Sequence, residues 1–426
     1  MSNTSNGSTQ GTPNLLALAD NIAKKTKAIS EYLEANDLAT PSFAANSSEP
    51  PETPEYIALY DSLKTSLEYL GRLVDGPRRW LRSFVSQIND LAAFQVAFEL
   101  NFFSLVPAED EISIHDLAQK IGLDADRIAR IMRMLVTHGV FREHKPGFIS
   151  HSAASMILRN DEDLRCAGLY TLDEMAKAAT ATAECLRESP HESDSVHCPF
   201  YTRHGAPMFA YYAQRPIYAA RFAKAMTGVA KLDRKVSELR DFFPWEKLSG
   251  TVVDVGGGNG HISTALACDF PNLKFVVQDG STEMLAQGKE MLSPSIQERV
   301  SFMQYDFFSP QPLRDVAAFF IRQCIHNWSD KDSIRIFKAF VPGLEGSKPG
   351  TPLLINDTVM PEPGTWPAHE ERMLRQMDIL MMIGLGAKQR TKAEFEALLK
   401  QADPRYEVKN VFADGHLGLI EVHLQQ

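Results

Sequence analysis

The stretch Thr251 to Gly280, TVVDVGGGNGHISTALACDFPNLKFVVQDG, constrains the fold of this chain more than any other. It opens on a short valine-rich run, the pattern of a buried parallel strand. Asp254 closes that strand, and Gly256, Gly258 and Gly260 follow as a tight turn. Glycine there lets the backbone adopt left-handed dihedrals and come close to a ligand. His261 to Cys268 reads as the next helix and Phe275-Val276-Val277 as a second strand, with Asp279 at its end. Strand, glycine turn, helix, strand and terminal acid make half of a nucleotide-binding α/β unit, the acid placed to accept from ribose hydroxyls.

The glycine spacing narrows the ligand. It is G-x-G-x-G after an acid-ended strand, not the G-x-G-x-x-G of dinucleotide enzymes, and no G-K-[ST] is present to hold a triphosphate with magnesium. An adenosine ligand without a diphosphate fits better, and S-adenosyl-L-methionine is the commonest such cofactor. The competing reading is an α/β turn that holds no ligand.

At 426 residues the chain has room for two or three domains with full cores. Its net charge of −10 argues against broad nucleic-acid or anionic-membrane binding. No run of 18 apolar residues is found, so no membrane span is expected. MSNTSNGSTQGTPN has neither a basic start nor an apolar core, so no signal peptide is expected. Five scattered cysteines without a C-x-x-C pair suggest neither a zinc site nor a disulfide framework, and reduced thiols in a cytoplasmic protein are expected.

Taken in order, residues 1–13 are small and polar and are expected to form a disordered tail. Residues 14–89 read as a helical region: an amphipathic helix from Leu15 to Leu33, a Pro/Ser-rich linker from Thr40 to Pro54, and helices either side of Gly76-Pro77. Residues 90–155 read as a winged helix, two short helices followed by two strands around Lys145-Pro146-Gly147. Arg127, Arg130 and Arg133 on its second helix invite a DNA-binding reading. The apolar Ile128, Ile131, Met132, Met134 and Leu135 on the same helix, with the acidic net charge, favour packing or dimerisation instead. Residues 156–426 read as the catalytic domain. Its first part is helical and aromatic, with Met208, Phe209, Tyr212 and Met226 as candidates for lining a planar substrate. From Gly250 strands alternate with helices, the mark of a parallel sheet, and a terminal hairpin adds antiparallel strands.

Open α/β sheets bind ligands at the carboxyl ends of their strands. There this chain offers the glycine turn, Asp279, Asp306 with Phe307, the run Arg322 to Trp328, and Asn356-Asp357. Asp306 can accept from an adenine amino group, Phe307 can pack on the ring, and Arg322 can reach the cofactor's carboxylate. His326 follows a buried strand on this edge. Methyl transfer to a phenol, whose pKa is about 10, needs the hydroxyl proton removed, and a neutral imidazole is suited to that. Asp357, one strand over, can orient the ring and stabilise its cationic form.

With these residues in hand the chain resembles the plant-type and fungal S-adenosylmethionine-dependent O-methyltransferases. VVDVGGGNGH, Asp279, YDFF, RQCIHNWSD, LLINDTVMPEPG and AKQRTKAEFEALL occur in family order, and YLEANDLATPSF through LVDGPRRWL looks like the fungal branch that decorates polyketides. The resemblance implies a winged-helix-like dimerisation domain, a homodimer, and a Rossmann-like catalytic domain. It implies cofactor binding by Gly256, Gly258, Asp279, Asp306, Phe307 and Arg322, and His326 as base toward an aromatic or polyketide-type hydroxyl. Two glutamates often flank the family's histidine; here those positions read Asp357 and Gln389, so charge support rests on Asp357. Some fungal proteins of this fold bind the cofactor yet catalyse pericyclic or dehydration steps, which is the alternative reading.

Overall fold

The computed structural model describes residues 14–232, 236–413 and 415–425. The expected tail, residues 1–13, lies outside them. The chain divides into two compact units, one reaching Leu172 and including Pro367–His369, the other formed by the remainder.

In the first unit a helix runs Leu15–Ala35, capped by the Asn14 side chain. The helical stretch Pro54–Glu99 is broken at Gly76, with φ 63° and ψ 175°. A β-carbon is disfavoured at such a φ, and Pro77 has the fixed φ that starts a new helix. The predicted break at Gly76-Pro77 is therefore present. The winged-helix expectation also holds: helices Ile114–Ile121 and Ala125–Thr137 accompany a sheet of order β1-β3-β2, made of β1 (Ile112–Ser113), β2 (Phe141–Lys145) and β3 (Phe148–His151). Ile128, Met132 and Leu135 are buried, at the spacing that keeps one helical face inward, while Arg127, Arg130 and Arg133 are exposed.

The second unit is built on a large sheet. Its strands are β4 (Gly250–Val255), β5 (Leu273–Asp279), β6 (Val300–Gln304), β7 (Ala318–Arg322), β8 (Leu353–Met360), β9 (Arg390–Thr391), β10 (Tyr406–Ala413) and β11 (Gly415–Leu424). The order is β10-β11-β8-β7-β4-β5-β6, with β9 paired to the end of β8. Strands β6, β5, β4, β7 and β8 are parallel, and the β10–β11 hairpin adds antiparallel strands. The chain fills one side of β4 and then returns to β7 on the other, so the switch point lies between β4 and β7. Both faces of this sheet are covered, one by a core around Phe319, Phe337, Ile355 and Phe395, the other around Trp245, Phe275, Phe320 and Leu354. This explains why the strands read as continuous apolar runs rather than alternating ones. Strand β8 runs on to Met360, past the expected end at Asn356, because every residue from Leu353 to Met360 is buried and β9 and β11 both pair with its far end. Asp357 is thus inside a strand rather than on the loop after it.

Candidate active site

The glycine turn after β4 is held by backbone bonds and by an acid. Gly256, Gly258 and Gly260 all have positive φ, at 74°, 57° and 74°. The N–H groups of Gly256 and Gly257 donate to the Gln278 carbonyl, at 2.7 and 3.1 Å. Asp279, half-buried at the end of β5, accepts the Gly258 N–H on Oδ2 at 2.9 Å and the Ser281 N–H on Oδ1 at 2.8 Å. The carboxylate is thereby fixed on the turn, with lone pairs left over for further donors. The turn is tight in space as well: a β-carbon on Gly257 would stand 2.6 Å from Asp254 Oδ2, and one on Gly260 2.9 Å from Val277.

The next two strand ends meet this turn. Asp306 is exposed and caps its own loop, accepting the Phe308 N–H at 3.0 Å. Phe307 packs edge-on against Trp328 with ring centroids 5.6 Å apart, and a β-carbon on Gly256 would lie 3.9 Å from its ring. Arg322, at the end of β7, donates to Asn356 Oδ1 across the β7–β8 register. The structure therefore brings Gly256, Gly258, Asp279, Phe307 and Arg322 to one edge, with Asp306 beside them.

His326 sits in a single 3₁₀ turn, Ile325–Asn327, just beyond β7. Its backbone N–H donates to Asp357 Oδ2 at 3.1 Å, and its ring Nδ1 bonds Asp357 Oδ1. Asp357 is 1% exposed. Burial alone would push its carboxyl up. The charge and ring N–H of His326, with backbone N–H bonds from His326 and Thr358, outweigh that and hold it below the usual carboxylate range. An ionised carboxylate only accepts, so Nδ1 carries a proton whether the ring is charged or neutral, and in the neutral ring Nε2 is the acceptor. Gln389, next to β9, is 4% exposed; its backbone N–H donates to Asp378 Oδ1 at 2.8 Å, while its side-chain Oε1 has no hydrogen-bond partner among the described residues. A buried acceptor without a donor costs stability, and such groups concentrate at working sites.

The substrate-lining candidates divide. Met208 and Tyr212 are buried, and Tyr212 stacks on Phe222 at 4.5 Å, whereas Phe209 and Met226 are exposed. Met208 lies with Met175 against Gly384, where a β-carbon would meet Met175 at 3.1 Å and Met208 Sδ at 3.5 Å.

Two titratable side chains near this edge, Asp254 and Arg390, are buried in a way the sequence did not announce. Asp254 is 2% exposed, and burial raises its carboxyl to about 6, against the opposing bond from Ser263 and charge of Arg322. Its folded value lies above its unfolded one, so the fold favours the protonated form. That contribution is complete below pH 4 and disappears as pH rises through 6. Between pH 5 and 7.5 it changes by about 1 kcal/mol. Urea unfolding of the wild type and Asp254→Asn at both pH values should show the variant gaining about that much relative to the wild type at the higher pH. A difference that stays constant would mean Asp254 does not titrate there.

Residues 182–404 match the O-methyltransferase domain family, and residues 84–182 match the O-methyltransferase dimerisation domain. Over 98% of this chain and 97% of the relative, the sequence is 59% identical to O-methyltransferase sol2 of Alternaria solani. This chain belongs to the O-methyltransferase family. It is an S-adenosylmethionine-dependent enzyme. A second relative, the chlorophenol O-methyltransferase of Trichoderma longibrachiatum, is 31% identical over 93% of this chain and 87% of that one. Among solved structures, OxaC superposes with a TM-score of 0.77 at 20% identity, over 96% of this chain and 99% of that chain. A structure described as a pericyclic reaction enzyme superposes at 0.71 and 18%, over 96% and 100%. At these identities the superpositions establish the O-methyltransferase's fold; its place in the family rests on the sequence matches. No helix among the described residues is long and apolar enough to cross a membrane.

Proposed function

We propose that this O-methyltransferase methylates a phenolic hydroxyl of an aromatic, polyketide-type metabolite, with His326 as the general base. The observation that carries the reading is the His326–Asp357 pair, an oriented imidazole on the ligand edge of the sheet. Asp357 keeps the proton on Nδ1, so Nε2 can take the hydroxyl proton of the acceptor. The imidazolium formed is stabilised by the adjacent buried carboxylate, which stays ionised throughout. Gln389 contributes an amide oxygen without charge, so Asp357 supplies the main electrostatic support. A phenolic acceptor agrees with the need for a base and with the name of the Trichoderma relative.

The glycine turn fits an adenosine-bearing cofactor: residues 256–258 carry no side chains, and Asp279 retains acceptor capacity beside them. Gly256, Gly258 and Asp279 would hold the ribose, Asp306 and Phe307 the adenine, and Arg322 the amino-acid end. When bound, S-adenosylmethionine supplies an electrophilic methyl group and departs as the neutral thioether. The protein's own task is then to hold the hydroxyl in line and remove its proton. The match to the dimerisation domain supports a homodimer, as does the exposed apolar stripe Trp80, Phe84, Ile88 and Leu91. Five free cysteines agree with a reducing, cytoplasmic setting.

Incubation with methyl-labelled S-adenosylmethionine and a panel of hydroxylated aromatics, followed by mass spectrometry, tests the reading. The expected product carries one labelled methyl on oxygen. An acceptor with a rearranged skeleton and no label would transfer the site to non-methylating chemistry.

A further inference from the structure

The carboxylate explains how the imidazole ring is aimed, but not what fixes the short turn that carries it. That turn, residues 325–328, is closed by only two backbone bonds, from the Asn327 N–H to the Cys324 carbonyl and from the Trp328 N–H to the Ile325 carbonyl, each at 3.1 Å. A single 3₁₀ turn is intrinsically weak. Both of its ends are also bound by one side chain from a distant segment.

Arg390 has a fully buried side chain. Its Nη1 donates to the Ile325 carbonyl at 3.1 Å and to the Lys388 carbonyl at 3.3 Å. Its Nη2 donates to the Trp328 carbonyl at 2.8 Å and to Asp330 Oδ1 at 2.8 Å, and Nε donates to the same oxygen at 3.0 Å. A guanidinium has five N–H donors, and these five contacts engage all of them. None is left for a cofactor or an acceptor. Burying a cation is costly unless it is paired and hydrogen-bonded, and Asp330, whose own charge is also met by Lys388 at 3.2 Å, meets that need. The planar fork spans the two carbonyls that bracket His326. A lysine in its place would offer a point charge that cannot reach both.

We propose that Arg390 is a positioning residue for the base: it locks the backbone of the 325–328 turn, as Asp357 locks the ring. The inference rests on the reading of His326 as the base. Arg390 follows Gln389 directly and lies in β9, which pairs Arg390 with Val359, two residues beyond Asp357. Ring clamp and backbone clamp are therefore tied to the same strand.

The test compares the wild type with Arg390→Lys, and with Arg390→Met, which occupies much of the same space with no charge to bury should the lysine variant not fold. Two readouts are taken. The first is steady-state turnover on the phenol that the wild type methylates fastest. The second, which needs no acceptor, is the downfield ring N–H resonance of His326, assigned by its loss in His326→Gln. The variants should lose kcat on the order of 100-fold, the scale of a displacement of about an ångström, with KM and cofactor Kd changed less than about twofold. The His326 resonance should shift or broaden while the melting temperature and the remaining spectrum stay close to wild type. An unchanged resonance with unchanged kcat overturns the proposal. So does a parallel fall of kcat, cofactor affinity and melting temperature, which marks a residue that only stabilises the fold. Should the wild type methylate no phenol, the functional reading fails, and the resonance alone still decides whether Arg390 holds the turn.

Discussion

Replacing His326 by alanine should lower turnover by about three orders of magnitude, within the range for loss of a positioned general base. Affinity for S-adenosylmethionine should stay within about twofold, because the glycine turn and Asp279 are built from β4 and β5 and do not depend on the imidazole. The variant is expected to fold. Asp357 loses its ring partner but keeps the backbone N–H groups of residues 326 and 358. His326→Gln, which returns a side-chain donor toward Asp357, separates the two effects: its stability should recover and its turnover should not. Single-turnover rates with saturating labelled cofactor are the measurement. Near-wild-type rates in the alanine variant would show that the phenolic proton leaves by another route, and the assignment of the base would fall.

Asp279→Ala should weaken cofactor binding by about 2–3 kcal/mol, the strength of hydrogen bonds to a charged group, or roughly 30- to 150-fold in Kd. The carboxylate acts twice. It orders the turn by accepting the Gly258 and Ser281 N–H groups, and it presents its remaining lone pairs to the ribose hydroxyls. Asp279→Asn keeps an acceptor without the charge and should fall between the two. Calorimetric titration with S-adenosylhomocysteine reads both variants without turnover. An unchanged Kd in the alanine variant would reduce Asp279 to a turn-former.

Much of this was readable from residue types and spacing alone. The valine run of β4, the three glycines and Asp279 form a contiguous block in which β4 pairs with β5 and the turn bonds to Gln278 and Asp279, all close in sequence. His326 and Asp357 were legible because each stands at or near the end of a buried apolar run. What escaped the sequence depends on long-range packing. Asp254 reads as the acid that closes a strand, and only the approach of Gly257 and Val277 shows that it is sealed from water. Arg390 stands in a polar stretch, Lys388-Gln389-Arg390, that reads as a solvated loop before a helix. Its burial follows from the pairing of β9 with β8, which a two-residue strand cannot announce. Of the candidates for lining a substrate, Met208 and Tyr212 are buried and Phe209 and Met226 exposed, because composition does not say which side of a helix will be covered.

The order of the parts along the chain has a consequence for how the enzyme comes into being. Everything proposed to hold the cofactor, apart from Arg322, lies between residues 256 and 307, so that half needs only short loops closed. The proposed base and its carboxylate are 31 residues apart, and the backbone clasp joins segments more than 60 apart. A chain emerging from synthesis can shape its cofactor cradle well before the segment bearing Arg390 exists. On this reading, competence to bind the methyl donor and competence to use it are separate milestones, the second reached only when β9 docks beside β8.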